Sequence, residues 1–271
     1  MERFFQGKAV IGLLIMAFLT NSFLPRELKA QGPPPQSKAG ACGDIWLVHQ
    51  DFFSIGKRDV YEALWKVWLE QLTQLSATRE VPPIITMQAK GTPEYIALIP
   101  LGNFAALDGF YALNEALKNQ AGQELWTKQQ EALSSTLNFQ VLSLHQFLPA
   151  CSCLPGESNI SIMNRPFVQY FVYSIEPGQG KQFEQFLQRK AKEHLDKKTQ
   201  TCWRVWKVLF GGDVPKYILT IFSQREESLS EDIKKMDIID SSMEKILRRE
   251  KEGKAILRRD LSFVMEKRDG S

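Results

Sequence analysis

The stretch FVQYFVYSIEPGQGKQFEQFLQRKAKEHL, residues 167–195, contains a strand, a turn and a helix in direct succession. Phe167 to Ile175 is rich in aromatic and β-branched residues, which favour strands. The PGQG sequence at 177–180 is typical of a turn. From 181 to 195 apolar residues recur every three or four positions, which predicts a helix with one buried face.

The residues that follow extend this pattern to βαββαβ. The predicted elements are strands at Trp203–Phe210 and Tyr217–Ser223, a helix at Glu226–Glu252 and a closing strand at Asp260–Glu266. Ser228 and Glu231 have capping-box spacing at the start of that helix, and Gly253 is expected to end it. The helix is dense in charge and has an apolar stripe, which is typical of a solvated amphipathic helix.

The preceding half of the chain shows the same order of elements. We predict strands at Asp44–Phe52, Ile84–Gln88, Tyr95–Leu101 and Phe139–Phe147, and helices at Asp59–Leu75 and from Asn103 to about Ser135. A constant shift of 122 residues superposes several positions of the two halves. These are Gly56 on Gly178, Tyr61-Glu62 on Phe183-Glu184, Pro93 on Pro215, and Tyr95-Ile96 on Tyr217-Ile218. The sequence therefore predicts a tandem repeat of one structural unit.

The motifs YFVYSIEPG (170–178) and FEQFL (183–187) resemble the opening of a dimeric α/β-barrel domain. This superfamily contains the antibiotic-biosynthesis and haem-degrading monooxygenases. The resemblance implies an α+β fold in which two tandem βαββαβ ferredoxin-like units form an internal pseudo-dimeric α/β barrel. It also implies a flat or apolar ligand between sheet and helices, and a monomeric chain.

The organisation that we predict has five parts. They are a signal peptide or anchor (1–30), a Pro-rich linker (31–43), a first unit (44–150), a linker (151–165) and a second unit (166–268). Arg3 and Lys8 precede an apolar run, which is the pattern of a secretory signal, with cleavage expected before Gln31. An uncleaved anchor over residues 9–24 is the alternative. We therefore expect a periplasmic or envelope protein that contacts membrane only through this segment.

Composition and charge exclude several classes of protein. The 271 residues are 44% hydrophobic and 24% charged, which is ordinary for a globular chain and excludes a disordered or polytopic membrane protein. Residues 1–30 contain four basic and two acidic residues, so their removal lowers the formal charge from +3 to +1. A nearly neutral chain gives no argument for a nucleic-acid partner.

The four cysteines fit an oxidising compartment. Cys42 precedes the first predicted strand, and Cys151 and Cys153 follow the fourth, which is its neighbour in a ferredoxin-like sheet. A disulfide from Cys42 to either of the other two is therefore expected, with Cys202 taking the remaining partner. Cys-x-Cys is not the usual zinc spacing, so we expect no metal site.

The candidate ligand-binding residues are mostly aromatic. They are His49, Gln169, Tyr170, Tyr173, Trp203 and Trp206. Trp203 and Trp206 are expected on opposite faces of one strand. His49 and His145 are expected on adjacent strands as two scattered surface or core histidines, since no carboxylate at a telling spacing accompanies them. The alternative is a pair that faces the cavity and binds metal or haem or shuttles protons. His194, near the end of a helix, suits the helix dipole.

The sequence favours a binding protein over an enzyme. The Asn, Trp and His that haem-degrading members use are absent from the corresponding elements, so haem degradation is not expected. We expect no cofactor and a small apolar or aromatic ligand in a barrel cavity. The alternatives are a cofactor-independent monooxygenase, as the resemblance implies, and a structural envelope protein.

Overall fold

A computed structural model describes residues 45–154, 164–197, 203–211, 215–236, 239, 241–243 and 245–264. The strands are β1 (Ile45–Phe53), β2 (Ile85–Ala89), β3 (Glu94–Gly102), β4 (Leu137–Phe147), β5 (Phe167–Ile175), β6 (Trp203–Phe210), β7 (Lys216–Ser223) and β8 (Leu247–Leu257). The helices are α1 (Arg58–Leu75), α2 (Ala106–Ala121), α3 (Gln123–Thr136), α4 (Gly180–Asp196) and α5 (Glu226–Met236). Short 3₁₀ turns lie at Pro149–Cys151, Ser241–Met243 and Arg259–Leu261.

The eight strands form one closed barrel in the order β1-β3-β2-β8-β5-β7-β6-β4. All neighbouring strands are antiparallel, so the chain has an α+β fold built on a closed antiparallel eight-stranded barrel. The first four strands lie side by side in the order 4-1-3-2, and the last four in the order 8-5-7-6. Two seams, β2–β8 and β4–β6, join these two sets of strands.

Three apolar clusters follow from the alternation of side chains along the strands. One fills the barrel interior and includes Val48, Ile85, Met87, Ile96, Val168, Tyr170, Phe222, Ala255 and Leu257. A second lies between the first-half strands and α1, α2 and α3, and a third lies between the second-half strands, α4 and α5. Each sheet face therefore has its own buried layer.

The helix predicted at Glu226–Glu252 is confirmed only as far as Met236, and the described part of the strand predicted at Asp260–Glu266 contains only the end of a 3₁₀ turn and an isolated bridge at Phe263. Helix α5 already starts at Glu226, before the expected cap, and ends at Met236, and β8 occupies Leu247–Leu257. Residues 251, 253, 255 and 257 face the barrel with a period of two, and Ala255 and Leu257 are buried there. Gly253 does not stop a helix, because it pairs with Tyr170 in the sheet.

The helical region predicted from Asn103 to Ser135 is two helices. Gly122 separates α2 from α3 with a φ of 80° and a ψ of 150°, a conformation that glycine adopts at little cost. Within the described residues no helix combines the length and the apolar character needed to cross a bilayer. The predicted signal or anchor and linker, residues 1–43, lie outside the described residues, and export stays a prediction.

The Tyr170 ring packs directly against Gly253, in space that is free only because glycine has no side chain. A Cβ built on Gly253 would overlap the Tyr170 ring. We expect Gly253→Ala to lower the free energy of unfolding by about 1–3 kcal/mol, the usual cost of overpacking a core. Gly109→Ala is the matched control, because an added Cβ there meets no atom within 4 Å and α2 gains a better helix former. Urea unfolding measures both, and equal effects of the two substitutions would contradict this packing.

Candidate functional site

The six predicted ligand-binding residues do not lie together. Tyr170 and Trp206 point into the barrel interior. Gln169, Tyr173 and Trp203 lie on the face of the second-half strands that α4 and α5 cover, and His49 lies on the corresponding face of the first half. Trp203 and Trp206 therefore do face opposite sides of β6, as expected. Any site has to be sought in one of these three layers.

The barrel interior is filled largely by the chain's own side chains. Trp206 packs edge-on against Trp46 with ring centroids 5.2 Å apart, and its Nε1 donates to Thr220 Oγ1 at 3.1 Å. Elsewhere inside the barrel, the buried Glu94 accepts a hydrogen bond from Gln50 Nε2 at 2.8 Å and forms an ion pair with Lys251 at 3.3 Å. Eight strands enclose just enough space for such side chains, so we regard this layer as core.

The layer of the second half is an aromatic core. Trp203 is fully buried, its Nε1 donates to the Cys151 carbonyl at 3.2 Å, and its ring meets His194 edge-on at 4.8 Å. Tyr173 packs against Phe183 at 6.4 Å. These contacts place the predicted aromatic residues in packing roles.

The cysteines that the structure describes form no disulfide. The Cys151 thiol is buried, which raises its pKa to about 11, and it donates to the Glu184 carbonyl at 3.6 Å. Cys153 is buried, and its backbone forms an isolated antiparallel β-bridge with Trp203. Cys42 and Cys202 lie outside the described residues, so the predicted bridges stay predictions.

His49 and His145 lie on adjacent strands, as predicted, but they do not form the alternative cavity-facing pair. His145 lies opposite Trp46 inside the barrel, whereas His49 lies on the helix side of β1. Burial lowers the pKa of His145 to about 4, and its Nε2 is 2.9 Å from Ser143 Oγ. No group of three His, Cys, Asp or Glu side chains that could hold a metal ion occurs in the described part of the chain.

His49 instead belongs to a polar cluster in the helix-covered layer of the first half. Its Nε2 lies 3.1 Å from Asp51 Oδ1. The other carboxylate oxygen of Asp51 accepts from Tyr61 Oη at 2.6 Å, and Oδ1 also accepts from Gln140 Nε2 at 2.6 Å. We call these four residues, His49, Asp51, Tyr61 and Gln140, the His49 cluster.

Local structure positions each member of the His49 cluster. Residues 49 and 51 share a face of β1 because side chains alternate along a strand, and Gln140 is the cross-strand partner of Asp51 on β4. Tyr61 lies in the first turn of α1, where its ring stacks on Phe53 with centroids 5.7 Å apart. Tyr61 also belongs to the apolar core of this layer, which includes Leu47, Trp65, Leu72, Leu113 and Leu144.

The electrostatics of the pair follow from burial and mutual attraction. Burial lowers the pKa of His49, but the charge and hydrogen bond of Asp51 outweigh it, so the pKa is raised above its ordinary value. Burial raises the pKa of Asp51, but His49, Tyr61 and Gln140 together lower it below the ordinary range. The pair is therefore held as an ion pair when His49 is protonated.

The two sides of the pair differ in access. The His49 side chain is 27% exposed, whereas that of Asp51 is only 4% exposed. Asp51 Oδ1 and Gln140 Nε2 both lie 3.1 Å from His49 Nε2, whereas His49 Nδ1 makes no hydrogen bond to the described residues. Asp51, Tyr61 and Gln140 were not among the predicted site residues. The missed signal was Asp51, two residues after His49, because that spacing places both side chains on one strand face.

The second half carries different residues at the matching positions. His49 pairs with Ala97 across β1 and β3, whereas Phe171 pairs with Leu219 across β5 and β7, each 122 residues further on. By the same offset Asp51 corresponds to Tyr173, and Tyr61 corresponds to Phe183. The first half is therefore polar and small where the second half is aromatic and large.

Comparison with known proteins supports the fold. No family model and no curated protein matches the sequence. A proposed monooxygenase from Fusobacterium nucleatum subsp. nucleatum is 11% identical, with a TM-score of 0.51, over 80% of this chain and 93% of that one. An anthrone oxidase-like protein is 10% identical, with a TM-score of 0.51, over 80% and 92%. These likenesses show that the chain shares the α+β barrel fold of such proteins.

The stability contributed by the His49–Asp51 pair should depend on pH. Because the pKa of His49 is raised in the folded protein, its stabilising effect is complete at pH values below the ordinary pKa of histidine. This effect is lost as the pH rises through the raised pKa. The lowered pKa of Asp51 gives stability that is present above its ordinary value and is lost as the pH falls through the lowered one. The contribution is therefore largest between about pH 4 and 6.5.

We expect Asp51→Asn to lower the free energy of unfolding by about 3 kcal/mol at pH 5.5, because it breaks a buried charge pair, and by less at pH 9. Urea unfolding at the two pH values measures the difference. Glu131→Gln on the exposed face of α3 is the control and should change stability by less than about 0.5 kcal/mol at both. A pH-independent loss for Asp51→Asn would contradict an ion pair.

Proposed function

We propose that the chain is an internal duplication, with two ferredoxin-like units at 44–150 and 166–268 that form a pseudo-dimeric barrel. The matched strand orders and the constant 122-residue offset of the β1–β3 and β5–β7 pairs support this. Tyr95 donates to Glu62, and Tyr217 donates to Glu184, so one hydrogen bond recurs at the matched positions. An internal pseudo-dimer also fits a monomeric chain.

The segments that follow β4 and β8 support the same proposal. Ser152 Oγ accepts from Val205 N at 2.9 Å, and Ser262 Oγ accepts from Thr86 N at 2.9 Å. Each serine also donates to the carbonyl four residues before it. The end of each half therefore crosses to the other half through equivalent bonds.

We propose that the chain binds a small apolar or aromatic molecule in the helix-covered layer of the first half, next to the His49 cluster. The observation that carries this proposal is the partly exposed imidazole of His49, set in an apolar layer beside the small residue Ala97. The matching positions of the second half hold Phe171 and Leu219, so the first half has the smaller side chains here. Ligand sites of this kind are mainly apolar with a few placed polar groups.

A cofactor-independent monooxygenase is the second candidate. The observation that favours it is the His49–Asp51 pair, because such an enzyme must remove a proton from its substrate before the substrate can react with oxygen. A structural envelope protein is the third reading and requires no ligand. We propose no cofactor, no nucleic-acid partner and no membrane contact apart from the N-terminal segment.

We also propose that the chain is exported. The charged start and apolar run within residues 1–30 support this proposal, and cleavage before Gln31 or retention as an anchor are its two forms. In an oxidising compartment Cys42 could then pair with Cys151 or Cys153, and Cys202 with the remaining thiol.

Ala97→Leu tests the binding proposal, because it places the residue of the second half opposite His49. Anilinonaphthalene sulfonate, followed by fluorescence, and haemin, followed by absorption, serve as apolar aromatic probes. We expect at least one of them to saturate at one equivalent per chain, and Ala97→Leu to weaken that binding about tenfold or more. If the ligand site lies beside Ala97, the variant should unfold with a free energy within about 1 kcal/mol of the original, whereas a larger loss, typical of overpacking, would show that this layer is already filled.

Ile99→Leu is the matched control, since it conserves volume on the same face of β3. It should leave probe binding unchanged. Absence of saturable binding by either probe would favour the structural reading. An Ala97→Leu variant that binds normally would place the ligand elsewhere.

A further inference from the structure

We propose that His49 is a general base, which takes a proton through Nδ1 from an acidic C–H or O–H group of a planar molecule bound beside it. Asp51 acts as the positioning residue. This inference rests on the proposed binding function, because it uses the same layer of the first half. It goes further in assigning a reaction class, proton abstraction, and a role to each side chain.

The geometry directs the basic nitrogen away from Asp51. In the neutral imidazole one ring nitrogen carries the proton, and the hydrogen bond of the other decides which. Asp51 Oδ1 and Gln140 Nε2 both lie 3.1 Å from His49 Nε2, and Gln140 Nε2 donates to Asp51 Oδ1 at 2.6 Å. Because a carboxylate can only accept, we assign the proton of neutral His49 to Nε2 and the lone pair to Nδ1, which has no hydrogen-bond partner among the described residues. A base needs this free lone pair within reach of the substrate proton.

Asp51 is itself held in place on two sides. Tyr61 Oη and Gln140 Nε2 each donate to its carboxylate at 2.6 Å, from α1 and β4 respectively. The carboxylate therefore cannot rotate away from His49 without losing both hydrogen bonds. This arrangement fixes the ring orientation and stabilises the imidazolium that forms when His49 accepts a proton.

The other two histidines are buried. His145 is buried inside the barrel, and burial lowers its pKa to about 4, which makes it a weak base. His194 is buried edge-on against Trp203 in the second-half layer. His49 alone of the three combines partial exposure with a carboxylate partner.

The fold does not require a polar cluster at this place. The second half builds the same layer with Phe171, Tyr173 and Phe183 at the positions of His49, Asp51 and Tyr61. Burying a charged pair costs desolvation energy that an aromatic core avoids. The first half therefore keeps a costly polar cluster where its own counterpart shows that apolar packing suffices, and the functional reading accounts for this difference.

The proton and electrons balance without a co-reactant. The substrate proton moves to His49 Nδ1, and the bonding electrons stay on the substrate as an enolate or phenolate. The imidazolium then returns the proton to the product or to water. The titratable group Asp51 contacts His49, and the titratable group Tyr61 contacts Asp51. Tyr61 stays neutral because burial raises its pKa well above the ordinary value.

Nitrobenzisoxazole is a direct probe of such a base, because it is planar, aromatic and opened by a single proton abstraction. The C–H proton goes to the base, the C–H electrons form a nitrile, and the N–O bond breaks to release a coloured phenolate. With the purified full chain we expect saturable turnover about 10²-fold or more above the buffer rate. The rate should rise with pH through the pKa of His49.

His49→Phe installs the second-half residue and should reduce turnover to the buffer rate. Asp51→Asn should lower turnover about tenfold or more and shift the pH profile to lower pH, because the pKa of His49 falls without the carboxylate charge. His194→Phe, which replaces one buried aromatic ring by another in the second half, should leave turnover unchanged. A shifted pH profile distinguishes positioning by Asp51 from a structural role.

A second measurement does not depend on the variants folding. Diethyl pyrocarbonate acylates unprotonated imidazole nitrogen, so His49 should be modified faster than His145 or His194, as peptide mass mapping would show. Turnover that survives His49→Phe, or His49 reacting no faster than the two buried histidines, would overturn the proposal. Saturable binding of anilinonaphthalene sulfonate or haemin without turnover would refute the assignment of His49 as a general base. It would still support the proposed binding function. Binding and turnover both absent would refute the two together.

Discussion

Each four-stranded half has two apolar faces, and both must be removed from water. Helices cover one face, and closure of the eight strands into a single barrel buries the other against its counterpart. The seams β2–β8 and β4–β6 make that closure, and the segments after β4 and β8 reinforce it from outside. The position of every other feature follows, because the closed sheet fixes which side chains face inward and which face the helices.

Within this frame the two halves use equivalent positions differently. The interior and the second-half layer are occupied by packing side chains, including most of the aromatic residues that first suggested a ligand site. The first-half layer places His49 and Asp51 where the other half has Phe171 and Tyr173. Under the proposed duplication, one half is free to specialise while the other maintains the fold. The binding and proton-transfer proposals both derive from this asymmetry.

Much of the fold could be predicted from local patterns, and the site could not. β5 and β6 were predicted to the residue because aromatic and β-branched residues concentrate there. β8 was missed because its charged residues fit a helical stripe equally well, and only pairing with β5 selects the period of two. Asp51 was missed although its strand was predicted, because its two-residue spacing from His49, which places both side chains on one face, was not recognised. Tyr61 and Gln140 reach the His49 cluster through tertiary contacts that the sequence does not show.

The protonation state of His49 tests the central claim most directly. Long-range ¹H–¹⁵N correlation spectra of the imidazole rings, recorded across a pH titration, report both the pKa and the tautomer of each histidine. The account predicts that His49 titrates above its ordinary value and carries its neutral proton on Nε2, with His145 neutral down to about pH 4. If the neutral imidazole of His49 carried its proton on Nδ1, or if the pKa of His49 lay below the ordinary value, the account would be contradicted.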